Sequence, residues 1–274
     1  MKKKTVYILF FCVFSLLYVT LLSSSKLGNK SNYKVIKVNG KILFVKSGAD
    51  LKRGDEFAMG TPLDFVTTTS RAAVISQSVR YVLQANSKGK VKILPATSNV
   101  TSRSGVLINL IDLQNHFSGR YLIFENEKLQ IGTEAFPMNK SCFFYVKYEY
   151  KGESIAKQLS FENNYLTIKK DELFKIDGVR IEAVEKEMTL YYRNEESKKS
   201  YRISTFTPVF PDFTELKAEA SILLTGLGDV SVENKITEIT AYLNDFYGKP
   251  QKDNLSNWLE SEFKLSVEKD INFK

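Results

Sequence analysis

The chain has 274 residues, 43% of them hydrophobic, and a formal charge of +8 from 39 basic and 31 acidic side chains. That apolar content excludes global disorder, and the length leaves room for two small domains. The basic residues are scattered among acids, as in Lys169-Lys170-Asp171-Glu172, and form no stripe interleaved with aromatics, so nucleic acid is not an expected partner.

Met1-Lys2-Lys3-Lys4 precedes an uncharged, mostly apolar run from Val6 to Leu22. A basic flank followed by a hydrophobic core is the order of an export signal. As a helix, the run is barely long enough to cross a hydrocarbon layer. Residues 1–25 are therefore expected to be a signal peptide, cut most simply after Ser25, or a signal anchor holding the chain in the membrane through residues 5–22. Cys12 lacks the preceding small residues of a lipoprotein cleavage site. The lysines would keep the N-terminus in the cytoplasm and place the body outside it. Beyond this segment Cys142 is the remaining cysteine, so no internal disulfide is expected, and its apolar neighbours predict burial. The single His116 has no His or Cys companion for zinc and is expected to be structural or exposed. No cofactor, metal site or catalytic residue is expected.

Residues 33–106 alternate short apolar runs with turns, the rhythm of an all-β domain. Val35-Ile-Lys-Val38 leads into Asn39-Gly40, a dipeptide suited to a type I′ hairpin, with Lys41 to Val45 as the return strand. Three pieces follow in order: Val38-Asn-Gly40-Lys41-Ile42, then Leu51-Lys-Arg-Gly54-Asp55-Glu-Phe57, then Thr67-Thr-Thr-Ser70-Arg-Ala-Ala-Val-Ile75. Over residues 35–95 this pattern resembles the FecR-like β-domain. The resemblance implies a β fold in a bacterial periplasm, and FecR proteins pair that domain with a cytoplasmic segment controlling a sigma factor. Only Met1 to Lys4 precede the apolar run here, so signalling of that kind would need a partner to replace the segment. Gly54 and Asp55 are read as a turn, the glycine for its backbone freedom and the aspartate as an acceptor of backbone N–H bonds.

A polar, turn-rich connection from Pro95 to Gly105 is a candidate hinge, and Val106 to Ile111 reads as a strand or short helix. Residues 121–210 then supply more strands, with Cys142, Phe144, Val146, Tyr148 and Tyr150 at period two and Asp177-Gly178 at a tight turn. Their rhythm fits an immunoglobulin-like sandwich. Residues 211–265 change to helical spacing. Asp212 with Glu215 forms a capping box, and Leu216, Ala220, Leu223 and Leu224 mark the first helix, ended by Gly226 and Gly228. Ser231 caps a second helix bearing Ile236, Ile239, Leu243 and Phe246. Asp253 caps a third, with Leu255, Trp258, Leu259 and Phe263 read as its core face.

The expected fold is thus mainly β with a C-terminal α segment: two small antiparallel β-domains and about three short helices behind an N-terminal membrane helix. No G-x-S-x-G elbow, H-E-x-x-H or Gly-rich phosphate loop occurs, and an enzyme is not expected. The expected role is a non-catalytic envelope protein with its body in the periplasm, acting through another envelope protein. The alternatives are a ligand- or glycan-binding module, marked by clustered exposed aromatics, and a FecR-like signalling subunit.

Overall fold

The computed structural model describes residues 32–85, 91–95, 105–124, 126–183 and 185–266. The N-terminal apolar run lies outside them, as does most of the candidate hinge; among the described residues no helix is long and apolar enough to cross a membrane. The protein is mainly β, with a helical C-terminal segment.

The first part contains β1 (Asn32–Asn39), β2 (Ile42–Phe44), β3 (Glu56–Ala58), β4 (Leu63–Phe65), β5 (Arg71–Ser76), β6 (Val79–Ala85) and β7 (Val91–Pro95). Five of them form an antiparallel sheet in the order β3-β1-β5-β6-β7, while β2 pairs with β4. The Asn39-Gly40 hairpin is therefore not formed: β1 pairs with β3 and β5. Gly40 has φ +77°, and a Cβ there would lie 2.5 Å from Ser70 Oγ, which accepts the backbone N–H of Lys41. The chain is thus turned against Ser70 and away from β1. The Gly54 turn is as expected, with φ +87° and the Lys52 N–H donating to Asp55 Oδ2 at 2.8 Å.

Both faces of this sheet are buried. Val35, Ala72, Val74 and Leu83 pack with Ile42, Leu51 and Leu63, whereas Ile36, Ala73 and Ile75 pack with the C-terminal helices. A bulge between Val35 and Lys37 adds Ile36 to the helix-facing side and leaves Lys37 opposite Ala73 on that same side.

The second part runs through α1 (Leu110–His116), β8 (Gly119–Leu122), β9 (Asn126–Gln130), β10 (Cys142–Tyr150), β11 (Glu153–Gln158), β12 (Ser160–Glu162), β13 (Tyr165–Lys169), α2 (Lys170–Leu173), β14 (Lys175–Ile176), β15 (Val179–Arg180), β16 (Met188–Asn194) and β17 (Lys199–Val209). It is completed from the C-terminal segment, whose elements are α3 (Phe213–Leu227), α4 (Val232–Phe246), β18 (Lys249–Pro250) and α5 (Lys252–Phe263). A six-stranded sheet has the order β11-β10-β16-β17-β8-β18 and shares one core with the three-stranded sheet β12-β13-β9. On β10 the expected alternation appears, with Cys142, Phe144, Val146 and Tyr148 buried. Asp177 and Gly178, both at positive φ, close the β14–β15 hairpin.

The six-stranded sheet is not purely antiparallel. β8 runs parallel to both β17 and β18. The helices α3 and α4 lie between β17 and β18, so the chain crosses the sheet edge and returns in the same direction. Gly248 permits the return: its φ is +126°, and a Cβ there would meet Arg120 backbone at 2.6 Å.

Asp212 and Ser231 cap α3 and α4 as expected. Gly226 does not end α3 but sits within it, where a Cβ would come 2.7 Å from Ile75 Cγ2. Glycine here sets how closely helix and β5 approach. Gln251, not Asp253, caps α5, because its Oε1 accepts the Asn254 N–H at 2.7 Å while its amide donates to Asp253.

The sheet–helix contact is also ionic. Glu219 on α3 is buried and accepts from Lys37 Nζ at 2.8 Å, Tyr242 Oη at 2.6 Å and Tyr247 Oη at 2.5 Å. Burial and this carboxylate together hold both phenols well above their ordinary pKa. Glu219→Ala would leave the half-buried Lys37 ammonium without its counter-charge, with Tyr247 Oη as its remaining acceptor, and two hydroxyls without their acceptor, at an expected cost of about 4 kcal/mol. Lys37→Met should cost less, and urea unfolding followed by circular dichroism orders the two.

Candidate functional site

Two features converge on the junction of α3, α5 and the chain after β8. The first is a cleft of about 630 Å³ between the first turn of α3 and one side of α5. On α5, Asn254, Asn257, Trp258, Ser261 and Glu262 follow helical spacing and line it together. Leu255 and Leu259, on the other side, are buried. Phe213 and Thr214 supply the α3 wall and Phe124 the base.

The aromatic rings are in contact. Trp258 lies 5.5 Å from Phe124 at 36°, Phe213 lies 6.1 Å from Phe124 at 35°, and Phe263 meets Trp258 nearly edge-on at 5.4 Å. Trp258 and Phe213 remain half-buried. At the rim, Lys217 and Glu262 pair at 2.6 Å, so their charges cancel locally. Trp258 packs against the same core as Leu255 and Leu259, as read from sequence, and its remaining surface lines the cleft. The missed signal was the repeat Asn254, Asn257, Trp258, Ser261, a mixed polar and aromatic stripe beside the leucines.

The second feature is a buried hydrogen-bond chain. Tyr121 Oη donates to Glu127 Oε1 at 2.7 Å and lies 2.6 Å from His116 Nε2. A phenol has one proton, and while Glu127 is ionised that proton is given to it, so His116 then donates from Nε2. His116 is buried rather than exposed and lines a recess of about 140 Å³ with Gln251 and Asp253. Glu127 is fully buried, and burial pushes its carboxyl up to about 7, against the opposing effects of the Tyr121 hydroxyl, the Asn254 amide and the Phe124 backbone. Glu127 Oε2 and Asn254 Nδ2 lack partners in hydrogen-bond geometry, although the amide is near enough to favour the carboxylate. Asn254 therefore stands between the cleft and this chain.

No protein-family model matches the sequence, and no curated protein matches it. The function must be argued from these side chains. Cys142 is buried in the core as expected, and Asp55 serves its turn. Among the described residues no cluster of three or more His, Cys, Asp or Glu side chains is arranged to hold a metal ion.

The raised pKa of Glu127 has a defined sign. The unfolded carboxyl titrates near ~4.3, so the folded state keeps its proton to higher pH. The contribution is fully present below that value and is lost as pH rises to about 7. This amounts to about 4 kcal/mol. Melting temperature measured between these limits should fall by more in the wild type than in Glu127→Gln. Since His116 is the sole histidine, its imidazole nitrogen resonances are unambiguous. They should report the Nε2–H tautomer at a pH high enough to ionise Glu127, and Tyr121→Phe should shift them while costing about 2 kcal/mol.

Proposed function

We propose that this chain is an exported, non-catalytic binding module of the bacterial envelope that holds a ligand in the cleft between α3 and α5. The observation that carries the reading is a cleft of about 630 Å³ bearing the single tryptophan with Phe213 and Phe124. Its volume lies within the ~300–1,000 Å³ of small-molecule sites, and aromatic walls with a few polar groups are their usual lining. The cleft presents amides, hydroxyls and one closed ion pair. The titratable chain from His116 to Glu127 lies behind this wall. Export and retention at the membrane rest on the basic flank and apolar run of residues 1–25, and the bacterial periplasm on the FecR-like pattern.

A protein partner is the second reading. Val106, Ile108, Leu110 and Ile111 are 40%, 58%, 44% and 66% exposed within six residues, a local concentration of apolar surface that favours contact with another protein.

Trp258, as the only tryptophan, reports on the cleft directly. In full-length protein labelled with 5-fluorotryptophan, its fluorine resonance should shift saturably with an uncharged probe, benzyl alcohol or a neutral trisaccharide. Ser261→Arg should fill the cleft and abolish the shift with little change in melting temperature, because a cation in the last turn of a helix is electrostatically favoured. If neither probe shifts the resonance, or Ser261→Arg leaves the response intact, the reading is wrong.

A further inference from the structure

We propose that the cleft takes an uncharged sugar ring, with its apolar face against Trp258 and its hydroxyls on Asn254, Asn257 and Thr214. This rests on the reading of the cleft as the binding site and adds the class of its ligand.

Charge is the first constraint. Lys217 and Glu262 close on each other at 2.6 Å, and no other charged side chain lines the cleft. An ionic ligand would have to break that pair or enter without a counter-charge. The chain as a whole carries +8, so this neutrality is a local property of the site.

The second constraint is the mixture of aromatic and polar groups. A purely apolar ligand would satisfy Phe213, Trp258 and Phe124 but would cover polar groups that already lack partners. Asn254 lines the cleft with its Nδ2 buried towards Glu127, which leaves Oδ1 as its cleft-side acceptor. The side chains of Asn257 and Thr214 are engaged in no hydrogen bond among the described residues and are exposed at the cleft. Burying such groups unpaired costs ~1–3 kcal/mol each. A sugar meets both demands: its axial C–H bonds present partial positive charge to the negative face of an aromatic ring, and its hydroxyls both donate and accept.

The polar groups are spaced to meet such a ring at its edge. Asn254 and Asn257 are one helical turn apart on α5 and flank Trp258, while Thr214 faces them from the first turn of α3. The Asn257 carboxamide offers a donor and an acceptor and Asn254 an acceptor, which suits neighbouring hydroxyls better than a carboxylate or an ammonium would. Glu127 is a positioning residue in this arrangement: it lies behind the Asn254 amide and is itself held by Tyr121.

The test uses full-length protein labelled with 5-fluorotryptophan in a detergent without a sugar headgroup. Maltotriose, cellotriose and chitotriose are the neutral probes, trigalacturonate is the charged one and benzyl alcohol the apolar one. At least one neutral trisaccharide should shift the Trp258 resonance saturably. Asn257→Ala, at an exposed helical position where folding is not at risk, should weaken it ~10-fold, as loss of one hydrogen bond predicts; Asn254→Ala should do the same. A response to benzyl alcohol alone would overturn the sugar proposal while leaving the cleft as a binding site. Tighter binding of trigalacturonate than of every neutral trisaccharide would overturn the argument from charge. Saccharide binding unchanged by both asparagine variants would place the sugar elsewhere, and silence with all probes would remove the site and its ligand together.

Discussion

The position of α3 on the first sheet depends on Glu219. Pairing makes Lys37, Arg71 and Arg80 share the helix-facing side of that sheet with Ile36, Ala73 and Ile75. Cations cannot be left there without acceptors, and the helices supply them. Glu219 takes Lys37, Asp245 Oδ2 takes Arg80 at 2.7 Å, and the Asp245 carbonyl takes Arg71 at 2.6 Å. A buried ion pair adds little net stability, since desolvation offsets most of the attraction. It does penalise an alternative arrangement, because a shift of α3 by a turn that brought Leu223 to the place of Glu219 would strand Lys37 opposite an apolar residue. The leucines of α3 attract the sheet without fixing position; the carboxylate fixes it. Gly226 against Ile75 then allows the far end of the helix to lie close.

With α3 fixed, the rest of the site follows from the parallel strands. β17 enters α3 beside β8, and β18 leaves α4 on the other side of β8. Both ends of the helical pair are therefore tied to one strand. Phe124, just past β8, is carried to the place where α3 begins and α5 passes. The cleft is thus made by three chain segments that a single short strand brings together. Arg120 on β8 reinforces the arrangement by donating to the Tyr247 carbonyl at 3.1 Å.

Local chemistry was legible in the sequence wherever a residue answers to its neighbours in the chain. Asp212 and Ser231 cap because the N–H groups they serve lie two or three residues ahead. Asp177-Gly178 turns because both residues adopt positive φ without help. Asn39-Gly40 carries the same kind of signal and fails, because Ser70, thirty positions later, claims the backbone at Lys41 and directs β2 to β4. Glu215 shows a similar override: it occupies the capping-box position, yet its carboxylate is engaged by Arg53 of the first sheet region, with Arg53 Nη2 at 3.2 Å. The cleft was hidden for the same reason. Helical spacing groups Trp258 as readily with Leu255 as with Asn254, and the placement of Phe124 and Phe213 makes it serve both.

The hydrogen-bond chain behind the cleft explains why a carboxyl can remain in this core at all. An isolated ionised glutamate would be intolerable there. Glu127 is made tolerable by Tyr121 on one oxygen and the neighbouring Asn254 amide towards the other, with its pKa raised far enough for the neutral form to share the burden. When Glu127 is ionised, His116 in turn keeps its proton on Nε2 to satisfy the phenol oxygen. Each member constrains the next, and Asn254 Nδ2 lies towards Glu127, so the carboxamide at the cleft is oriented by a buried carboxyl rather than by apolar side chains alone. A polar group in an aromatic cleft is useful for recognition only if its direction is fixed. The buried chain supplies that fixity from the side opposite to the solvent, where a ligand would not disturb it.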